Sequence, residues 1–229
     1  MKAIFIDIDN TLLDFDAYVR TTMEQGFAHF GLPAYHPEMY HTFTAENNKL
    51  WRQIEEGTLT FAELQKIRWN NVFTALGIHF DGPAFEHYFR AALHESAIPV
   101  PGAIELLQSL SGRALLCVAS NGPYEQQLHR LEIGGMKPYF DYFFISEHAG
   151  AAKPAPAFFD YAFRELNENR TDPILPQETL IIGDSLSSDM AGGLQYGMKT
   201  CYYRRPGAPA APTGVDDTVT DLRQIPALF

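Results

Sequence analysis

Cysteine is nearly absent: Cys117 and Cys201 are the only two in 229 residues. That is too few for a disulfide framework, and both sit in apolar, strand-like stretches, so buried free thiols in a reducing, cytoplasmic setting are expected. Long apolar runs are missing as well. Nothing approaches the ~20 consecutive apolar residues of a membrane span. The opening "MKAIFIDIDN" reaches an acid at Asp7 and has no small-residue cleavage site, so it does not read as a secretory leader. Basic residues are scarce, with 17 Lys and Arg against 28 Asp and Glu and a formal net charge of −11. A surface of that sign disfavours nucleic-acid polymers and anionic membranes as partners, though one local site can still be positive. The eight histidines show no ligand spacing such as H-E-x-x-H, so none reads as a metal ligand. Repeats are absent. The first biased segment is the Pro-, Ala- and Gly-rich "RRPGAPAAPTG" at 204–214, which reads as a loop.

What the chain does have is core material: 46% of residues are hydrophobic and 13% aromatic. Short apolar runs at 2–8, 114–119, 142–145, 179–182 and 200–203 read as buried parallel strands. Helical patterns at 103–111, 123–133, 155–168 and 187–196 lie between them. Alternating β and α units argue for a parallel sheet with helices on both faces. Residues 17–97 break the alternation with four helical patterns, at 17–30, 37–55, 61–76 and 83–96. Thr60 with Glu63 marks a helix start as a capping box. The expected division is a catalytic core of residues 1–15 and 99–229 with a helical insert at 16–98. In an open α/β sheet ligands bind at the carboxyl ends of the strands. An insert leaving from that edge is expected to act as a lid that excludes water.

The polar residues after each strand are Asp7 and Asp9, then Ser120 and Asn121, then Lys153, then Asp184 and Asp189. Asp7 and Asp9 are two positions apart at the end of a buried strand, where like charges are costly unless something offsets them. A divalent cation held by Asp7, Asp9 and Asp184 would do so, and Mg²⁺ favours such oxygen ligands. A carboxylate can also attack a phosphoryl group while a second carboxyl serves as acid and then base. Asp7 as nucleophile and Asp9 as acid/base is the economical assignment. Ser120 and the backbone N–H groups around Asn121 and Gly122 can face an anion. Lys153, kept extended by Pro154, can neutralise the nucleophile and a phosphate oxygen together. Gly183 permits a tight turn, and Asp189 could hold Lys153 or a metal-bound water. Taken singly, most of these residues read as caps, turn formers or surface groups. Their occurrence in order at four successive strand ends is what points to a site.

These residues carry a resemblance. "DIDNTLLD" resembles the DxDxT motif of the haloacid dehalogenase-like hydrolase superfamily, and "SNG", "KP" and "GDSLSSD" resemble its second, third and fourth motifs. The resemblance implies an α/β, Rossmann-like parallel-sheet core with an inserted all-helical C1 cap, Mg²⁺ dependence, and phosphoryl transfer through an aspartyl-phosphate. It assigns Asp7 as nucleophile and metal ligand, and Asp9 as acid/base and metal ligand through its backbone carbonyl. Thr11, Ser120, Asn121 and Lys153 fall to the substrate phosphate, Asp184 to the metal, and Asp189 to a supporting position. The spacing of the fourth motif favours Asp189 over Ser188. "LWRQIEEGTLTFAELQKIRW" and the segment from Ser120 to Pro154 are similar to the subgroup of 5′-nucleotidases acting on pyrimidine nucleotides. Phe15, Trp51 and Arg52 would then be candidates for contacting base or sugar, with core packing or a surface Arg the plainer alternatives. The expected partner is a small phosphorylated metabolite, handled by a monomer or homodimer. Phosphatases of phosphoglycolate or a sugar phosphate, a sugar-phosphate mutase, a 2-haloacid dehalogenase and a receiver-like phospho-acceptor domain are the competing readings.

Overall fold

The computed structural model describes residues 1–228. The chain divides into two compact units, one of Met1–Asp14 continued from Ala97 onward, the other Phe15–Ser96. The first unit holds a six-stranded, wholly parallel sheet: β1 (Ala3–Ile6), β2 (Leu115–Ser120), β3 (Tyr142–Ile145), β4 (Thr179–Gly183), β5 (Lys199–Tyr203) and β6 (Asp217–Val219). The spatial order is β3-β2-β1-β4-β5-β6. Strand β1 is therefore central, between β2 and β4, with Ile6 opposite both Val118 and Ile182.

Alternate residues of each strand serve opposite faces, as the two-residue period requires. Ile4, Ile6, Val118 and Ile182 pack on one side with Leu106, Leu107 and Leu131 from helices α5 (Ala103–Leu110) and α6 (Tyr124–Ile133). Phe5, Cys117, Phe144 and Ile181 pack on the other with Phe158, Phe159 and Phe163 of α8 (Pro156–Asn167). Phe5 stacks between Phe144 and Phe163, with ring centroids 5.4 and 5.5 Å away. Burial on both faces explains why these strands are continuous apolar runs. Both cysteines are buried and free.

The second unit is all-helical: α1 (Phe15–His29), α2 (Pro37–Glu55), α3 (Phe61–Leu76) and α4 (Gly82–His94). Its core is aromatic, with Phe27, Phe43, Trp69, Phe73, Phe85 and Phe89 buried together. The expected capping box opens α3: Glu63 N–H donates to Thr60 Oγ1, and the Thr60 N–H to Glu63 Oε2. Inside this unit the Arg68 guanidinium meets Glu86 by two bonds, of 3.0 and 2.6 Å, and Asn47 by a third. Phe15 packs on Tyr18 and Phe89, and Trp51 on Phe61. Arg52 is exposed. Among the described residues no helix is long and apolar enough to cross a membrane.

The elements that differ from expectation include a short helix directly after β3, α7 (Ser146–Ala149). Strand β6 follows the Pro- and Ala-rich loop and, at three residues, is too short to show a period. The helix expected over 187–196 instead begins with a π-type turn, Leu186–Met190, before α9 (Ala191–Tyr196). Both Asp189 N–H and Met190 N–H donate to the Ser185 carbonyl at 3.1 Å. The widened turn is held by the Ser185 N–H, which donates to the carboxylate of Asp189.

Candidate active site

The carboxyl end of β1 leads into a tight turn. The N–H groups of Thr11, Leu12 and Leu13 all converge on the Ile8 carbonyl. Asn10 supplies the left-handed residue this turn needs, at φ 62°, a conformation that Asn tolerates better than most residues. Thr11 is wholly buried, with its N–H on Ile8, and its hydroxyl has no hydrogen-bond partner. Thr11 is thus held in the turn that follows β1.

Asp7 sits one residue beyond β1, its N–H on the Ile182 carbonyl. Lys153 reaches it from the loop before α8. The Lys153 ammonium donates to Asp7 Oδ1 at 2.8 Å, to Asp189 Oδ1 at 2.6 Å and to the Ala119 carbonyl. All three donors of the fully buried ammonium are therefore satisfied. Burial pushes the Asp7 carboxyl well above the usual carboxylate range, against the opposing pull of Lys153. For Lys153, burial opposes the charge, but Asp189 and Asp7 outweigh it and the ammonium is held charged.

The Asn121 side chain is engaged with the lysine loop. Its amide clamps the main chain of Lys153, Nδ2 donating to the Lys153 carbonyl at 3.0 Å and Oδ1 accepting the Lys153 N–H at 2.8 Å. Both ends of the amide are thus committed to holding the lysine loop. The Gly122 N–H, expected to face an anion, donates to Ser146 Oγ at 2.9 Å. Ser120, the last residue of β2, accepts a bond from Gln127 and keeps its own hydroxyl proton to donate.

Three acids converge beside Lys153. One carboxylate oxygen each from Asp7, Asp184 and Asp189 lies within 4.8 Å of the others. The Asp9 carboxylate is outside this group: Arg130 Nη1 donates to its Oδ1 at 2.7 Å and Gln127 Nε2 to its Oδ2 at 2.9 Å. Asp7 and Asp9 thus each have their own cation, which resolves the repulsion that their spacing implies. Asp189 is fully buried, with Oδ1 on Lys153 and Oδ2 on the Ser185 N–H. Gly183 serves this arrangement rather than a turn. A Cβ there would come within 2.1 Å of Asp189 Oδ2. Asp184 is bound through Oδ2 by Arg205 Nε at 2.9 Å.

Sequence reasoning missed Gln127, Arg130 and Arg205. The first two lie three apart on α6 and so share a helix face; a buried Gln and Arg at that spacing is the available signal. Arg205 follows the carboxyl end of β5, so the strand-end rule reaches it when applied to one more strand. The donor set fits a hard divalent cation: three carboxylates converge, and no sulfur or imidazole is among them.

Relatives of known name match over nearly the whole chain. The HAD-hydrolase YfnB of Bacillus subtilis is 31% identical over 211 residues, covering 92% of this chain and 87% of its own length. Its crystal structure, bound to magnesium, superposes with a TM-score of 0.88 at 29% identity, covering 99% of this chain and 97% of that one. The pyrimidine 5′-nucleotidase YjjG of Escherichia coli is 31% identical, with 97% and 96% of the two chains covered. The pyrimidine 5′-nucleotidase PynA of Streptococcus pneumoniae is 31% identical, covering 88% and 83%. Residues 1–197 match the haloacid dehalogenase-like hydrolases, and the chain, with its parallel-sheet core, helical insert and acidic cluster, belongs to that family of hydrolases.

Proposed function

We propose that this hydrolase is a Mg²⁺-dependent phosphomonoesterase of pyrimidine nucleoside 5′-monophosphates, working through a phosphorylated Asp7. The observation that carries the chemistry is the Lys153 ammonium bonded to both Asp7 and Asp189, beside the carboxylate of Asp184. The nucleotide preference is supported by the similarity to two pyrimidine 5′-nucleotidases.

Asp7 and Asp184, with the Asp9 carbonyl, would hold the Mg²⁺, whose charge would offset that of the phosphate. Asp7 attacks phosphorus, and the ester P–O bond breaks. Asp9 gives its proton to the departing alkoxide oxygen. The Asp9 carboxylate then takes a proton from water as that water attacks the phosphorus, and the bond from Asp7 to phosphorus breaks, releasing inorganic phosphate. Lys153 holds Asp7 in place and stabilises negative charge on the transferring group. Ser120 donates its hydroxyl to a phosphate oxygen.

Displacement of halide from a 2-haloacid requires a carboxylate nucleophile but neither an acid at Asp9 nor a cation at Asp184. The presence of Asp9 and Asp184 favours the phosphate ester. The test is phosphate release by purified protein with Mg²⁺ from pyrimidine and purine nucleoside 5′-monophosphates, sugar phosphates and phosphoglycolate, beside chloride release from a 2-haloacid. Pyrimidine nucleotides are expected to give the highest kcat/KM, and Asp7→Asn to abolish turnover. Turnover that survives Asp7→Asn overturns the mechanism. A preference for another ester overturns the substrate.

A further inference from the structure

Arg130 is buried at 1% exposure, an unusual place for a guanidinium unless its donors are matched. Its Nη1 donates to Asp9 Oδ1 at 2.7 Å and to Gln127 Oε1 at 2.8 Å. Gln127 Nε2 donates to Asp9 Oδ2 at 2.9 Å and to Ser120 Oγ at 2.8 Å. These four bonds consume both hydrogens of Nη1 and both hydrogens of Nε2. They also close a ring through Asp9, Arg130 and Gln127.

The orientation of the Gln127 amide follows from chemistry alone. Arginine has only donors, so the amide oxygen must face Arg130. The amide nitrogen is then forced toward Asp9 and Ser120. Two donors, one to each oxygen, fix the plane of the Asp9 carboxylate and leave a lone pair on each oxygen. The same nitrogen fills an acceptor site on Ser120 Oγ, which turns the serine hydroxyl into a donor toward a ligand oxygen.

We infer that Arg130 and Gln127 are positioning residues that orient Asp9 for proton transfer to the leaving alcohol and orient Ser120 as a phosphate donor. The inference rests on the phosphomonoesterase reading and adds a claim about which step the pair serves. Protonation of the leaving oxygen matters for an alkoxide and hardly at all for a nitrophenolate, which departs without it. Loss of positioning must therefore appear selectively in the ester with the poor leaving group. A merely structural role would lower both esters together.

The experiment compares kcat/KM for p-nitrophenyl phosphate and for a nucleoside 5′-monophosphate in wild type, Arg130→Met, Arg130→Lys and Gln127→Glu. This ratio reports steps up to release of the alcohol. The nucleotide is expected to lose about 10²-fold in Arg130→Met and Gln127→Glu, the scale of general acid catalysis. The aryl ester is expected to lose less than about tenfold, through Ser120. Arg130→Lys keeps a donor and should recover part of the nucleotide rate. Gln127→Glu is nearly isosteric and keeps its acceptor for Arg130, so it tests the claim even if Arg130→Met does not fold. Equal losses on both esters, or no loss on the nucleotide, overturn the inference. A wild type that releases phosphate from neither ester overturns the phosphomonoesterase reading itself, a distinct result.

Discussion

The carboxylate of Asp189 lies against the α-carbon of Gly183, so closely that an added Cβ would stand 2.1 Å from Oδ2 and 2.3 Å from Cγ. The last residue of β4 thereby decides where an acid six positions later can go, and through it where the Lys153 ammonium is held. Gly183→Ala is expected to push Asp189 off both Lys153 and the Ser185 N–H. Breaking a buried ion-pair network typically costs about 3–5 kcal/mol. Urea denaturation should show a loss of that size together with a large drop in kcat, and a variant with wild-type stability and rate would sink the account.

Removing the lysine leaves two buried acids without their cation. Lys153→Met should lower stability by about 3 kcal/mol or more, because an uncompensated buried charge remains. Replacing Asp189 by Asn in the same chain should return part of that loss. A Lys153→Met protein that melts like wild type would show the pair to be dispensable.

Arg205 places a positive charge on Asp184, the carboxylate nearest to solvent in the acidic trio. A cation there opposes the binding of a second cation. Arg205→Ala is expected to tighten Mg²⁺ binding about fivefold in calorimetry, in keeping with roughly 1 kcal/mol for a partly exposed pair. Weaker binding in the variant would mean that Arg205 mainly orients Asp184.

The two thiols give an alkaline prediction. Burial pushes Cys201 up to about 12, with Asp217 adding to it, and burial raises Cys117 as well. A group whose folded pKa is raised stabilises the fold fully below its unfolded value and loses that contribution as pH rises toward the folded one. Above about pH 9 each thiol should therefore subtract about 1.4 kcal/mol per pH unit. Chemical denaturation between pH 8 and 11 should show this decline. Cys117→Ala with Cys201→Ala should flatten it. Native protein should also resist thiol reagents at pH 8 that label the unfolded chain.

In the helical unit, Arg68 and Glu86 are buried against each other. Glu86→Ala alone should destabilise by about 3–5 kcal/mol, while replacing both residues by apolar ones of similar volume should be far milder. A double-mutant cycle measured by thermal unfolding distinguishes these outcomes.

Much of this protein is written along the chain. A continuous apolar run such as Thr179–Gly183 can be stable only with both faces covered, so the parallel sheet followed from local composition. The acids, the serine and the lysine were legible because the carboxyl ends of such strands are where polar residues have no packing purpose. The capping box at Thr60 needed only two side chains three apart.

Tertiary structure alone decided which group meets which. Nothing local pairs Asp9 with Arg130, 121 positions away, or turns the Asn121 amide onto the backbone of Lys153. Those choices depend on where helices settle over the sheet and on satisfying every buried donor and acceptor at once. A linear pattern records which chemical groups are available; the packed interior assigns their partners, because in a low-dielectric site an unpaired charge is too costly to leave alone.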